Sequence, residues 1–232
     1  MRPPGVRALG YVGLAVALGA CGIGGPTPTP RPTCPTSAPT ADQAEGVLGG
    51  ASRAVVVTNK GEFAIELNAD GAPMAVANFV ALAACGFYDG ITFHRVVPGF
   101  VAQAGDPQTR GRHEDFQGLG SGSPGYRFEV EFPPEDTRYT RYTVAMANAI
   151  DFDEFTGEIT GPTDSNGSQF FVMLADAPEQ MQPYYSILGR VASGTEVVDA
   201  IGSVPTNVRD VPLDPVVIET VRIEGRATPS PQ

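Results

Sequence analysis

The sequence has no tryptophan, only two histidines, three cysteines and far fewer basic than acidic residues. Lysine and arginine number 15 against 26 aspartates and glutamates, which gives a net charge of −11, and the basic residues are scattered. Without a basic cluster, a nucleic-acid-binding surface is not expected. The histidines and cysteines lack metal-ligand spacing, so neither a metal nor another cofactor is expected. No apolar run reaches the about 20 residues of a transmembrane helix.

The first twenty residues have the pattern of a secretory signal. Arg2 and Arg7 precede an apolar run over residues 8–20 that ends in small residues. Residues 18–21, which read LGAC, resemble the lipobox of bacterial lipoproteins, where the signal is removed before a lipid-carrying cysteine. The resemblance implies lipidation of Cys21 and an extracytoplasmic protein anchored to the cell membrane. Ordinary cleavage that leaves a free thiol is the alternative.

Composition divides the rest of the chain. Residues 21–50 contain Pro-Thr alternation and few large apolar side chains. Such a segment cannot bury enough surface to offset its ordering entropy, so it is predicted to be a linker. The remainder suits one domain over residues 51–226, followed by a disordered tail at residues 227–232.

Hydrophobic periodicity predicts a mainly β domain. Residues 54–68 contain two β-rich runs, joined by a short loop at residues 60–61 where glycine supplies a positive φ. Pro73 suits the first position of a helix, and apolar residues follow at helical spacing until Gly86. A second helix is predicted over residues 194–201. The short strands between the helices favour a barrel or a sandwich.

Two cysteines remain once Cys21 is set aside for lipidation. Cys34 lies in the predicted linker, and Cys85 lies at the end of the first predicted helix. In an oxidising compartment an even pair suggests a disulfide. The sequence leaves two alternatives open: a disulfide between Cys34 and Cys85, and a buried Cys85 with a free thiol.

Specific polar residues occur inside four apolar segments, in the order residues 93–106 (FHRVVPGFVAQAGD), 146–149 (MANA), 166–171 (NGSQFF) and 187–191 (ILGRV). Together these segments resemble the signature of the cyclophilin family, and the resemblance spans residues 52–225. It implies a closed eight-stranded antiparallel barrel capped by two α-helices, with the active groove on its outer wall. It also implies peptidyl-prolyl cis-trans isomerase activity.

That reaction needs no nucleophile and no metal. An X-Pro bond must rotate past a barrier of about 18–20 kcal/mol, which falls when a donor draws the prolyl nitrogen toward a pyramidal geometry. A permanently charged, forked guanidinium suits this task. By resemblance, Arg95 is the donor, Gln103 orients it, and Asn148 completes the catalytic set. The resemblance assigns substrate binding to Phe100, Val101, Ala147, Gln169, Phe171, Met181 and Tyr185.

The sequence departs in places from the best-known members of that family. A tryptophan often found near the proline pocket is absent, with Gln180 and Met181 in its region, so weak cyclosporin binding is expected. Tyr185 stands where a histidine is common. Residues 150–160 lengthen a link beside the groove and carry four acidic residues, but Gly157 is out of register with an EF-hand loop. A solvated acidic loop is favoured there over a calcium site. His94 is interpreted as structural, because the reaction transfers no proton.

Two functions follow as hypotheses. The first is an isomerase that assists the folding of exported proteins, with proline-containing exported polypeptides as partners and the lipid anchor as its membrane contact. The second is a non-catalytic proline-peptide binding module or chaperone on the cell surface. In either case the protein is expected to be a monomer.

Overall fold

The structure of this protein is a computed structural model that describes residues 30–112, 116–151, 153, 156–178 and 181–225. The predicted signal peptide, the predicted lipidation site Cys21 and the predicted tail at residues 227–232 lie outside these ranges. The helices and strands are α1 (Ala41–Leu48), β1 (Ala51–Thr58), β2 (Gly61–Leu67), α2 (Pro73–Ala84), β3 (Arg95–Val97), β4 (Val101–Ala104), β5 (Thr143–Met146), β6 (Phe170–Met173), β7 (Ile187–Ser193), α3 (Thr195–Gly202) and β8 (Ile218–Gly225). Among the described helices, none has the length and apolar character needed to cross a membrane.

The eight strands form one antiparallel sheet in the order β3-β4-β6-β5-β7-β2-β1-β8. The prediction of a closed barrel is wrong, because the sheet is a curled half-barrel whose outer strands are β3 and β8. The opening has a physical cause. The backbone N–H of Val96 in β3 donates to the carbonyl of Asp210 at 2.8 Å, so a loop ahead of β8 occupies the free edge of β3. Next to that loop, Thr92 and Val217 meet in an isolated bridge.

The first hairpin is confirmed, with its loop one residue earlier than predicted. Thr58 pairs with Gly61, so residues 59–60 form the loop. Gly61 lies at φ +121°, which a residue with a side chain rarely adopts. Phe63 and Ile65 of β2 are buried and belong to the main core.

Helix α2 is confirmed at the predicted place, and its start is fixed by a residue far along the chain. The carboxylate of Glu131 accepts the N–H groups of Met74 at 2.9 Å and Ala75 at 2.8 Å, which would otherwise lack partners in the first helical turn. The Phe79 ring meets that of Phe170 edge-on, with centroids 5.6 Å apart. This contact packs α2 against the sheet. The second predicted helix is also present, as α3.

A third helix, α1, corrects the prediction of two. Thr40 and Gln43 form a capping box at its start, and Gly49 ends it in the left-handed region at φ +52°. Ala44 is buried where α1 contacts α2. The prediction that residues 21–50 are a linker did not include this helix, because one buried alanine and a half-buried leucine give little hydrophobic signal.

A disulfide and an ion pair attach the segment before α1 to the rest of the protein. Cys34 and Cys85 are bridged, which confirms one of the two alternatives open from the sequence. Arg31 pairs with Asp89, next to that bridge. The residues from Arg31 onward therefore belong to one compact unit, which begins before the predicted domain start at residue 51.

Candidate active site

Strands β3 and β4 place Arg95 beside Gln103 on the sheet face opposite the main core. The two residues are partners in the ladder. Because side chains alternate along a strand, Val96 is buried in the main core while Arg95 is half-buried on the other face. Gly99, at φ +73°, reverses the chain between the two strands. The predicted donor and its predicted neighbour thus lie together.

Gln103 is held in a chain of side-chain amides. Its Nε2 donates to Oε1 of Gln169 at 2.9 Å. The Nε2 of Gln169 donates in turn to the carbonyls of Gly120 and Gly122, each at 2.8 Å. Both amides therefore have a fixed orientation. The hydrogen bond of Gln103 Nε2 is to Gln169, and the role of Gln103 in orienting Arg95 stays a prediction.

An apolar cluster separate from the main core lies on the same face. Its buried members include Val101 and Phe171, and Phe171 is the ladder partner of Gln103. The predicted pocket residues packed around them are Phe100, Ala147, Met181 and Tyr185. The structure thus gathers the predicted apolar residues beside Arg95 and Gln103. Gln180, predicted near them, lies outside the described residues.

Tyr139, which the sequence did not single out, fixes the position of Tyr185. The hydroxyl of Tyr139 donates to the carbonyl of Tyr185 at 3.0 Å and accepts the N–H of Tyr185 at 2.9 Å. The Tyr185 ring then stands edge-on to Phe171, with centroids 5.2 Å apart. Tyr139 has no motif around it, so no local signal could have found it.

Ala147 and Asn148 continue the groove toward the acidic loop at residues 150–160. The N–H of Ala147 donates to the carbonyl of Gln169 at 2.9 Å. The Nδ2 of Asn148 donates to the carbonyl of Tyr184 at 2.7 Å, and the hydroxyl of Tyr184 donates to the carbonyl of Gly157. Asn148 is therefore coupled to the loop through Tyr184.

Asp210 is a further residue of the site that sequence reasoning missed. Its Oδ2 lies 3.8 Å from Nε of Arg95, and both side chains are 42% exposed. It adopts a left-handed backbone conformation at φ +62°, and its carbonyl is the one that accepts the N–H of Val96. The carboxylate is thus held near the guanidinium by the loop that opens the sheet.

His94 is buried next to Arg95 and is uncharged at neutral pH. Burial lowers its pKa from 6.5 to about 4, the Asp106 carboxylate opposes the shift, and Arg95 reinforces it. Asp106 is itself fixed by accepting the N–H groups of Gln108 at 2.8 Å and Gly120 at 2.7 Å. Among the described residues, no group of three or more histidine, cysteine or acidic side chains could hold a metal ion.

We expect His94 to make folding stability fall in mild acid. Its pKa is lower in the folded protein, so between pH 6.5 and about 4 the unfolded chain binds the extra proton and the free energy of unfolding decreases as pH falls. The expected contribution is about 3 kcal/mol across that window. Urea unfolding at several pH values measures it. His94→Gln should flatten the dependence, and parallel curves for the two proteins would refute the assignment.

Comparison with known proteins gives consistent matches over this region. The family model described as "Cyclophilin type peptidyl-prolyl cis-trans isomerase/CLD" matches residues 53–223. The chain is 40% identical over 187 residues to the peptidyl-prolyl cis-trans isomerase A of Mycobacterium tuberculosis, covering 73% of this chain and 91% of that protein. It is 39% identical over 191 residues to the peptidyl-prolyl cis-trans isomerase B of Streptomyces anulatus, covering 75% and 97% respectively.

The fold also matches solved structures. A crystal structure of a cyclophilin type peptidyl-prolyl cis-trans isomerase of Cryptosporidium parvum aligns with a TM-score of 0.62 at 28% identity, over 76% of this chain and 99% of that one. A second structure of that protein, in the presence of the dipeptide Ala-Pro, aligns with a TM-score of 0.61 at 29% identity, over 75% and 99%.

Proposed function

The chain belongs to the family of cyclophilin type peptidyl-prolyl cis-trans isomerases, and from that premise we propose that Arg95 catalyses rotation about X-Pro bonds in exported polypeptides. The protein is a peptidyl-prolyl cis-trans isomerase. One observation supports the assignment of Arg95 as the catalytic donor. This half-buried residue shares a sheet face with the apolar cluster around Val101 and Phe171, where a proline ring can be held next to the guanidinium.

The geometry suits a reaction without covalent chemistry. The cluster of Val101, Phe171 and Tyr185 supplies an apolar surface for the proline ring. Arg95 is the permanently charged donor for the prolyl nitrogen, whose lone pair leaves the amide system as the bond twists. Gln169 is fixed by its own hydrogen bonds beside the groove. A donor to the twisted bond accelerates rotation only to the extent that it binds this state more tightly than either planar isomer.

A protease-coupled assay on a short Ala-Pro-Phe peptide tests the activity directly. The domain over residues 30–225 should accelerate cis-to-trans conversion at substoichiometric concentration, because nothing in the reaction consumes the enzyme. Peptide binding measured in parallel tests the second hypothesis, a non-catalytic binding module or chaperone. A domain that binds the peptide without accelerating conversion would be a binding module or chaperone.

The protein is further proposed to act outside the cytoplasm, anchored through lipid on Cys21. The apolar run over residues 8–20 and the LGAC sequence at residues 18–21 support this location. The Cys34–Cys85 disulfide is in keeping with it, because such bonds persist in oxidising compartments. Two acyl chains suffice for stable attachment where one is marginal.

We expect Cys21→Ala to release or mislocalise the protein, because an anionic membrane repels the acidic domain and the proposed anchor supplies the affinity. Fractionation of cells that produce either protein measures this, with Cys34→Ser as the matched cysteine substitution that keeps the anchor. A Cys21→Ala protein that stays in the membrane fraction would contradict the lipid anchor.

The acidic loop at residues 150–160 is expected to select peptides by charge. Asn148 and Tyr184 couple the loop to the groove, so its carboxylates raise the negative potential near the bound peptide. Peptides with Lys or Arg ahead of the proline should have about fivefold higher kcat/KM than those with Asp or Glu at low salt. Screening should reduce the difference at high salt.

Replacing Asp151, Asp153, Glu154 and Glu158 by Asn or Ser should flatten that preference. The matched control replaces acids far from the groove, such as Glu219 and Glu224 on β8, and should keep it. An unchanged preference and salt dependence in the loop variant would mean that the loop is a passive insertion.

A further inference from the structure

Tyr139 is a buried residue to which the proposed reaction gives no role. It is 2% exposed and belongs to the same apolar cluster as Phe171. The N–H of Ala177 donates to its carbonyl at 2.8 Å, which fixes the backbone of Tyr139 ahead of β5. Its ring stands edge-on to that of Tyr185, with centroids 6.0 Å apart. Tyr139 is therefore a fixed support next to one wall of the proposed proline pocket.

The Tyr139 hydroxyl bonds to both polar groups of the Tyr185 backbone. Tyr185 lies just ahead of β7 and outside any strand, so a strand ladder does not supply its partners. The hydroxyl instead accepts its N–H at 2.9 Å and donates to its carbonyl at 3.0 Å. Burial raises the pKa of the Tyr139 phenol, so the donated proton is retained at neutral pH. Loss of the hydroxyl would remove both bonds, and buried backbone groups without partners are costly.

The residue before Tyr185 is held from another segment. The carbonyl of Tyr184 accepts Nδ2 of Asn148 at 2.7 Å. With both residues held, the Tyr185 ring meets that of Phe171 at an interplanar angle of 89°. Burial raises the pKa of the Tyr185 phenol and Arg95 opposes that rise, so the phenol lies within the electric field of the guanidinium. Tyr185 thus adjoins both the apolar surface and the proposed donor.

We propose that Tyr139 is a positioning residue that fits the proline pocket to a five-membered ring by holding Tyr185 against Phe171. The inference rests on the proposed function, because this pocket must receive the proline ring. A wall that cannot retreat rejects a larger ring, since closely packed side chains do not admit an extra methylene without strain. A wall whose backbone is released can retreat and admit it. Tyr139 therefore acts on the choice of ring, whereas rotation of the bond is assigned to Arg95.

Two peptides that differ by one methylene test this role. The first is Ala-Ala-Pro-Phe, and the second carries pipecolic acid, the six-membered homologue, in place of proline. Exchange NMR with the full chain gives kcat/KM for each. The unmodified chain should prefer proline by about tenfold or more, the usual discrimination of one methylene by an apolar pocket. Tyr139→Phe keeps the ring and removes the hydroxyl, and it should reduce the preference to about threefold or less.

Three variants separate this role from a general loss of stability. Tyr142→Phe removes a hydroxyl that donates to Asp199 from a residue packed against the main core, and it should keep the full preference. Tyr185→Ala removes the wall itself and should give the low preference. Adding Tyr139→Phe to Tyr185→Ala should change the preference no further. Partial unfolding of any variant lowers both rates equally and cancels in the ratio.

The outcomes distinguish the positioning role from the activity. Equal kcat/KM for the two peptides with the unmodified chain would overturn the role of Tyr139. A full preference in Tyr139→Phe or in Tyr185→Ala would also overturn it. Absence of catalysis by the unmodified chain on the proline peptide would overturn the proposed function instead. The ratio of the two peptide affinities, measured by calorimetry, would then test the fit of the pocket in the same variants.

Discussion

Replacing Arg95 by alanine is expected to lower kcat/KM for X-Pro isomerisation by about 10²- to 10³-fold, the usual effect of removing one electrostatic donor from a transition state. The reason is differential binding: in the proposed mechanism, the guanidinium binds the prolyl nitrogen most strongly when that nitrogen is no longer part of a planar amide. Arg95→Lys keeps the charge but loses the planar fork, so it should restore only part of the rate.

Stability should hardly change in these variants. Among the described residues, Arg95 has an ion-pair contact with the 42% exposed Asp210 at 3.8 Å, and exposed pairs contribute about 1 kcal/mol or less. Arg222→Ala, on β8 and paired with Glu62, is the matched control. Circular dichroism and thermal unfolding verify the fold. If Arg95→Ala turned over substrate as fast as the unmodified protein, the proposed role of Arg95 would be contradicted.

Breaking the Cys34–Cys85 bridge is expected to lower the free energy of unfolding by about 2–4 kcal/mol. The two cysteines are 51 residues apart, and closing a loop of that length removes considerable entropy from the unfolded chain. For a domain of this size the loss corresponds to a fall in Tm of about 10 °C. Cys34→Ser is the better test, because Cys34 is exposed and Cys85 is half-buried.

Reduction provides the control for that substitution. Dithiothreitol should lower the Tm of the unmodified domain to the value for Cys34→Ser, and it should leave the Tm of the variant unchanged. Activity should persist in both, because neither cysteine lines the groove. Two free thiols in the unreduced protein, measured by mass spectrometry, would contradict the bridge.

The elements that could be predicted are those whose signals are local. In β3 and β4 the alternation that buries Val96 and exposes Arg95 is readable over a few residues. The start of α2 at Pro73 is equally local, although the carboxylate of Glu131 that caps it is not. The apolar pocket followed from resemblance, because residues as distant as Val101 and Tyr185 meet only in the folded sheet.

The features that could not be predicted depend on contacts between distant segments. The edge of β3 is covered by the loop that contains Asp210, whose carbonyl accepts the N–H of Val96. Helix α1 contains one buried residue and gains its place from α2 and the disulfide. Tyr139 acts on the pocket through the backbone of Tyr185. No sequence window contains both partners of any of these contacts.

Exchange NMR on an Ala-Pro-Phe peptide tests the central claim most directly, because one sample reports both binding and the rate of cis/trans exchange. With the unmodified domain, the peptide should show accelerated exchange, and the signals of Phe171 and Tyr185 should shift. With Arg95→Ala, those shifts should remain while the exchange falls to near the uncatalysed rate. Accelerated exchange that persists in Arg95→Ala would contradict the account, because the groove would then catalyse rotation without its guanidinium.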